Sequence, residues 1–229
     1  MNDKLRPTVV TKHDTSVESG YWQSFYEKND FTEGSSFCEY IKEYPGIPSV
    51  VMDIGCGQGR DSVSFALSGK TVIGLDRSSE GVDHGNKRAA SEGVSDRLCF
   101  EVCDVSDRYQ VLSSVQAARI AADSGPICFY MRFFLHSIPE DVQADLMSAL
   151  SEASEEGDVI AVEFRTDKDE YQAKAFGVSH YRRYQNAADF SGRLSGEYGW
   201  TVKNEEESQG LSIYGGEDPF IYRAVATKS

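Results

Sequence analysis

Three carboxylates, Asp53, Asp76 and Asp104, each stand at or just beyond the end of a short apolar run in the first half of the chain. The first opens Asp53-Ile54-Gly55-Cys56-Gly57-Gln58-Gly59-Arg60-Asp61, a glycine triplet between a strand-like and a helix-like stretch. Glycines in such a turn let the backbone bend tightly and approach a ligand closely, and the helix N-terminus that follows favours negative charge. The dinucleotide fingerprint requires G-x-G-x-x-G. Here the pattern is G-x-G-x-G, and Arg60 takes the place of the third glycine. A carboxylate at Asp53 would repel a pyrophosphate but could accept hydrogen bonds from an ammonium group. An acid at Asp76 can accept both hydroxyls of a ribose, and one at Asp104 can accept from the exocyclic amine of adenine. Each acid also has a plainer reading, as a helix cap or a strand terminator. One ligand, with an amino-acid end, a ribose and an adenine, would satisfy all three.

The elements that must hold these residues are legible in the hydrophobic pattern. Apolar, β-branched runs over 49–54, 71–76, 98–103, 127–131 and 158–164 alternate with helical spacing over 60–67, 79–91, 107–122 and 140–153. Continuous apolar strands separated by helices imply a parallel sheet covered on both faces. Two further runs, 200–207 and 220–227, are joined by a turn-rich loop (SQGLSIYGGEDP) and should pair antiparallel as a hairpin at the sheet edge. Amphipathic helices are expected over 17–29 and 35–44. Residues 165–185 are polar and aromatic and read as an insertion or lid, since most strand–helix connections have only about 2–6 residues. The expectation is one domain: a helical cap over 1–46, a ligand-binding core over 47–164, the lid, and a C-terminal helix and hairpin over 186–229.

Composition narrows the function. The chain has 229 residues, 40% hydrophobic and 26% charged, which are globular values. Lys and Arg number 23 against 37 Asp and Glu, a net charge of −14, which argues against a nucleic-acid partner. No apolar run is long enough to span a membrane. The opening residues MNDKLRPTVVTKHDT lack the apolar stretch of a secretory signal. The five cysteines include no C-x-x-C pair and read as reduced residues of a cytoplasmic protein. No spacing of His and acids suggests a metal. A monomer or a homodimer is expected.

S-adenosylmethionine has the three parts that the acids demand. The stretch VVMDIGCGQGRDSVSFALSGKTVIGLD resembles motif I through the second strand of class I S-adenosylmethionine-dependent methyltransferases. It is most similar to the small-molecule branch with a G-x-G-x-G-R-D-S loop, which includes thiopurine and tellurite-resistance enzymes. The likeness is specific over 50–105 and looser over 15–229. It implies a Rossmann-like α/β fold, a seven-stranded mostly parallel sheet with an antiparallel terminal hairpin and helices on both faces. It also implies that Gly55, Cys56 and Gly57 line the methionine portion through backbone atoms, that Asp76 holds the ribose, and that Asp104 with Val105 holds the adenine. Arg60 is a candidate for the cofactor carboxylate, and the candidate cofactor set also takes in Asp53, Gly59, Arg77 and Met131. In similar enzymes an N-terminal helix closes over the cofactor, so Tyr21 and Tyr26 are candidates to line the site, with Trp22 for packing.

The acceptor should lie outside the carboxyl ends of the later strands. The (D/N)-P-P-(Y/F) motif of enzymes that methylate base amines in DNA is absent, which disfavours that chemistry. The fourth run is followed by Arg132-Phe133-Phe134-Leu135-His136. Arg132 and His136 share a face if this segment is helical, and His136 can accept a proton near neutral pH. Phe133 and Phe134 read as core. Beyond the fifth run stand Arg165 and then His180-Tyr181-Arg182-Arg183. Arginines bind carboxylate or phosphate in bidentate fashion, so the functional reading is an anionic acceptor, with His180 as a second candidate base and Tyr181 and Tyr214 on the rim. The arginines could instead pair with local acids. The leading expectation is methyl transfer to a small polar, anionic metabolite, with O-methylation favoured. Rivals are an RNA or protein methyltransferase, a non-catalytic S-adenosylmethionine-binding protein, and an NAD-dependent oxidoreductase, the last opposed by Arg60.

Overall fold

A computed structural model describes residues 33–172 and 181–229. In chain order the elements are α1 (Ser36–Glu43), β1 (Val50–Ile54), α2 (Arg60–Leu67), β2 (Thr71–Asp76), α3 (Ser79–Ser91), β3 (Leu98–Val102), α4 (Arg108–Ala121), β4 (Ile127–Arg132), α5 (Glu140–Ala153), β5 (Val159–Arg165), α6 (Ala187–Gly196), β6 (Trp200–Ser208) and β7 (Ile221–Lys228). Short 3-10 turns follow β4 (Leu135–Ser137) and β5 (Asp167–Asp169). The expected helix over 17–29 lies outside the described residues.

The strands form one seven-stranded sheet in the order β3-β2-β1-β4-β5-β7-β6. β1 to β5 are parallel, while β7 runs antiparallel against both β5 and β6. The terminal hairpin is therefore built as expected, but its second strand lies inside the sheet and β6 forms the edge. The pattern explains the order. β7 alternates through Ala224, Val225 and Ala226, all buried, whereas β6 from Asn204 to Glu206 is exposed. An apolar strand gains by being covered on both sides, and an acidic one is tolerated only at an edge.

Side chains leave a strand on alternate faces, and that alternation builds two cores. Met52, Ile54, Phe129, Met131, Val162 and Phe164 pack with Val115, Leu146, Leu150 and Leu194 from α4, α5 and α6. Val51, Cys128, Tyr130 and Ala161 pack on the opposite face with Phe37, Ile41, Val63, Phe65 and Val82 from α1, α2 and α3. At the far edge the Phe100 ring fills the space beside Gly59, Gly74 and Gly85, where an added Cβ would lie 2.2, 2.5 and 3.0 Å from it. This contact docks β3 and α3 against the glycine turn. No helix of the described residues is long and apolar enough to cross a membrane.

Candidate functional site

The sheet order changes direction between β1 and β4, and open α/β sheets form their ligand crevice at the carboxyl side of such a switch. The glycine turn lies there. Gly55, Gly57 and Gly59 all have left-handed backbone, with φ of +77°, +57° and +77°. Gly55 and Cys56 donate their N–H groups to Leu75 O at 2.8 and 3.0 Å. The Gly57 N–H donates to Asp76 Oδ2 at 2.8 Å, and Ser78 N–H donates to Asp76 Oδ1 at 2.9 Å. The acid that ends β2 is thereby laced to the turn after β1. Burial pushes its pKa up, against the backbone N–H groups of Ser78 and Gly57 that favour the charge.

Asp53 is in phase with Val51 and so faces α2, where Ser62 Oγ donates to its Oδ2 at 2.5 Å. Asp53 is 3% exposed. Burial, and then the nearby charge of Asp61, push its carboxyl up to about 7. Asp104 is half-buried just past β3. Its Oδ1 accepts from Ser106 N at 3.0 Å and Ser106 Oγ at 2.7 Å, and its Oδ2 has no hydrogen bond among the described residues. Val105 is half-buried beside it and packs on the α4–α6 core. Arg77 is exposed at the tip of β2.

A buried polar network lies around the ends of β4 and β5. Asp61, in the first turn of α2, accepts from Ser35 N (2.7 Å), Ser35 Oγ (2.7 Å) and Tyr130 Oη (2.8 Å). Arg132 Nε lies 3.8 Å from Asp61 and 3.1 Å from Glu163. Glu163, fully buried, also takes Arg223 Nε at 2.6 Å. Burial works against the charge of Arg132, but Asp61 and Glu163 hold its guanidinium charged above the ordinary range. Burial likewise pushes Glu163 up, against both arginines. Arg165 is matched by Asp169 at 2.8 Å and Glu217 at 2.7 Å. Glu217 closes a small turn with Tyr214 through N–H···O bonds in both directions at 3.0 Å, and the Tyr214 side chain is exposed.

Several site expectations change on this geometry. Arg60 donates Nε to Glu33 O at 2.8 Å and Nη2 to Gly34 O at 3.1 Å, so its guanidinium holds the main chain ahead of α1. Met131 points the other way from Asp53: its side chain is 0% exposed in the α4–α6 core and cannot line the crevice. Arg132 and His136 do not share a helical face, because Phe133 takes a φ of +51° between them and ends β4 in a turn. His136 is buried, and its Nδ1 accepts from the Arg165 backbone N–H at 3.4 Å. Phe133 and Phe134 are half-buried: Phe134 packs against the α4–α6 core as expected, while Phe133 belongs to neither core. Of the lid, Tyr181, Arg182 and Arg183 are half-buried, and Arg183 N–H donates to His136 O at 2.8 Å. Tyr21, Trp22, Tyr26 and His180 lie outside the described residues. Asp61, Glu163 and Arg223 were not foreseen as site residues. The available signal was a charged residue inside an otherwise apolar strand, as at Glu163 in VIAVEFR and Arg223 in IYRAVATK.

Residues 48–129 match the family model of a methyltransferase domain, a segment that spans β1 through the middle of β4. Solved structures share the whole fold. An S-adenosylmethionine-dependent methyltransferase from Anabaena variabilis is 16% identical with a TM-score of 0.66, covering 98% of this chain and 100% of that one. The Burkholderia thailandensis 1,6-didemethyltoxoflavin-N1-methyltransferase, solved with its acceptor and S-adenosylhomocysteine, is also 16% identical with a TM-score of 0.66, over 98% and 93% of the two chains. The [4+2]-cyclase SpnF is 12% identical with a TM-score of 0.62, over 88% and 85%.

Proposed function

We propose that this chain, whose residues 48–129 match the family model of a methyltransferase domain, transfers a methyl group from S-adenosylmethionine to a small polar metabolite. The observation that carries this reading is the lacing of Asp76 to the glycine turn through the Gly57 N–H, with Asp53 beneath the turn and the half-bonded Asp104 one strand away. In this reading Asp53 accepts from the cofactor ammonium, and the backbone of Gly55, Cys56 and Gly57 lines the methionine chain. Asp76 accepts the ribose hydroxyls, while Asp104 Oδ2 takes the adenine amine with Val105 against the ring.

When bound, the sulfonium supplies an already activated methyl group. The chain's own task is to hold the nucleophile in line and keep water out, which supplies much of the rate in such reactions. O-methylation is the favoured chemistry and needs a proton acceptor. His136 turns its Nδ1 to the Arg165 main chain, so its role here is to orient the β4 and β5 tips, and the base falls to His180 or to an acceptor that ionises readily. Arg132 and Arg165 face carboxylates and Arg183 Nη2 donates to Gln143 Oε1 and, at 3.4 Å, to Leu135 O, so an anionic group on the acceptor would compete with partners that these cations already hold.

Likeness of fold does not by itself name the reaction, since one matched structure is a cyclase. Calorimetry with S-adenosylhomocysteine and NAD, followed by a screen of small acceptors with isotopically labelled S-adenosylmethionine, tests the proposal. Tight binding of the former, none of NAD, and label in a small product are expected. Cofactor binding with no transfer to any acceptor would favour a binding protein instead.

A further inference from the structure

The turn that ends β4 is built at a conformational cost. Phe133 has a φ of +51°, a region that bulky side chains avoid and that glycine or asparagine would enter freely. Its N–H donates to Glu163 O at 2.8 Å, which holds the turn closed. The turn sends two consecutive rings in different directions. Phe134 goes to the glycine turn and lies against Gly55. Phe133 goes to the tips of β4 and β5, with the Arg132 guanidinium 4.6 Å and the Arg165 guanidinium 5.9 Å from its ring centroid. The His136 ring meets it edge-on at 5.5 Å. Both rings are half-buried, unlike Phe129 and Phe164, which are 0% exposed; Phe134 also packs against the α4–α6 core, whereas Phe133 belongs to neither core.

A strained, half-buried aromatic in a crevice is the kind of outlier from which a role can be argued. Core packing does not explain the ring, and turn geometry opposes it. Its position, one residue before the Phe134 ring that lies on Gly55 and flanked by two guanidiniums that carboxylates hold in place, suits a flat surface near the methionine end of the cofactor. We infer that Phe133 is the platform on which the methyl acceptor lies and that the acceptor is a planar, conjugated molecule. This deepens the methyltransferase reading and rests on it. Offset stacking on such a ring adds to affinity beyond the area buried, and it fixes the plane in which the nucleophile meets the methyl group.

The test uses the whole chain, labelled S-adenosylmethionine and two acceptor sets of matched polarity. One set holds hydroxy- and amino-substituted planar heterocycles, the other aliphatic polyols and hydroxy acids. Label should pass to members of the planar set. Phe133→Leu should raise the acceptor KM about tenfold or more, with Phe133→Tyr restoring it and S-adenosylhomocysteine affinity unchanged in both. Phe133→Gly removes the ring and the backbone strain together, and should raise KM similarly without lowering the Tm. Transfer confined to the aliphatic set would overturn the inference, as would an unchanged KM in Phe133→Leu or no transfer to the planar set by a protein that binds S-adenosylhomocysteine. Absence of S-adenosylhomocysteine binding in the unaltered chain would overturn the methyltransferase reading, and this inference with it.

Discussion

The ring of Phe134 occupies the space that a side chain on Gly55 would need: a Cβ built there would lie 2.1 Å from Phe134 Cδ2. The turn after β1 and the turn after β4 are thus fitted to each other. Gly55→Ala should fail twice, through its φ of +77°, which costs a non-glycine residue about 1–2 kcal/mol, and through overpacking, worth about 1–3 kcal/mol. Chemical denaturation should show the loss, and titration with S-adenosylhomocysteine should show weakened binding. Adding Phe134→Ala should recover the packing part of the stability but not the backbone part. Full recovery would mean that backbone conformation at Gly55 is unimportant.

Asp53 carries a pH dependence with a defined sign. Its folded carboxyl is raised to about 7 from 3.8. Between about pH 4 and 7 the folded chain keeps a proton that the unfolded chain releases, so this residue's contribution to stability falls as pH rises, by at most about 1.4 kcal/mol per unit. Cofactor binding should run the other way. An ammonium group needs the ionised form, so S-adenosylhomocysteine affinity should increase as pH rises through about 7. Asp53→Asn should flatten that profile. Calorimetric titrations across the range check it, and a flat profile in the unaltered protein would remove Asp53 from the ammonium site.

Arg60 offers a way to separate cofactor contact from chain anchoring. Its Nε and Nη2 donate to Glu33 O and Gly34 O. Arg60→Gln should therefore lower thermal stability and weaken S-adenosylhomocysteine and its decarboxylated analogue by the same factor. A loss confined to the carboxylate-bearing ligand would assign Arg60 to the cofactor carboxylate after all.

Scaffold and site should come apart at Asp158. This carboxylate is 0% exposed at the other end of the parallel strands, just ahead of β5. It takes Arg119 Nη1 at 2.8 Å and Nη2 at 2.6 Å, and also accepts the Ile127 and Glu155 N–H groups, both at 2.8 Å. Asp158→Asn leaves a buried guanidinium uncompensated and should cost about 3–5 kcal/mol. Unfolding curves should record this loss while cofactor affinity in the folded protein stays as it was. A variant of ordinary stability would show that the pair contributes little.

The local pattern determined much about this protein. Apolar runs and helical spacing locate α2, α3 and α5 over 60–67, 79–91 and 140–153, as the structure has them, and the five parallel strands end within one residue of their expected limits. The glycine turn and the acids at the tips of β1, β2 and β3 were legible too, because a strand–turn–helix unit is a matter of near neighbours in sequence. What tertiary structure alone decided lies around the ends of β4 and β5. Arg132, Glu163 and Arg223 come from β4, β5 and β7, and only the sheet order makes them partners. Arg165 likewise meets Glu217, far along the chain, beside its near neighbour Asp169. The left-handed turn at Phe133 sent its ring to the strand tips and out of the expected core, and the fold turned the acceptor nitrogen of His136 to the main chain. Hydrophobic periodicity follows from each segment's own residues. Charge pairing, and the face a titratable group presents, depend on which distant strands become neighbours.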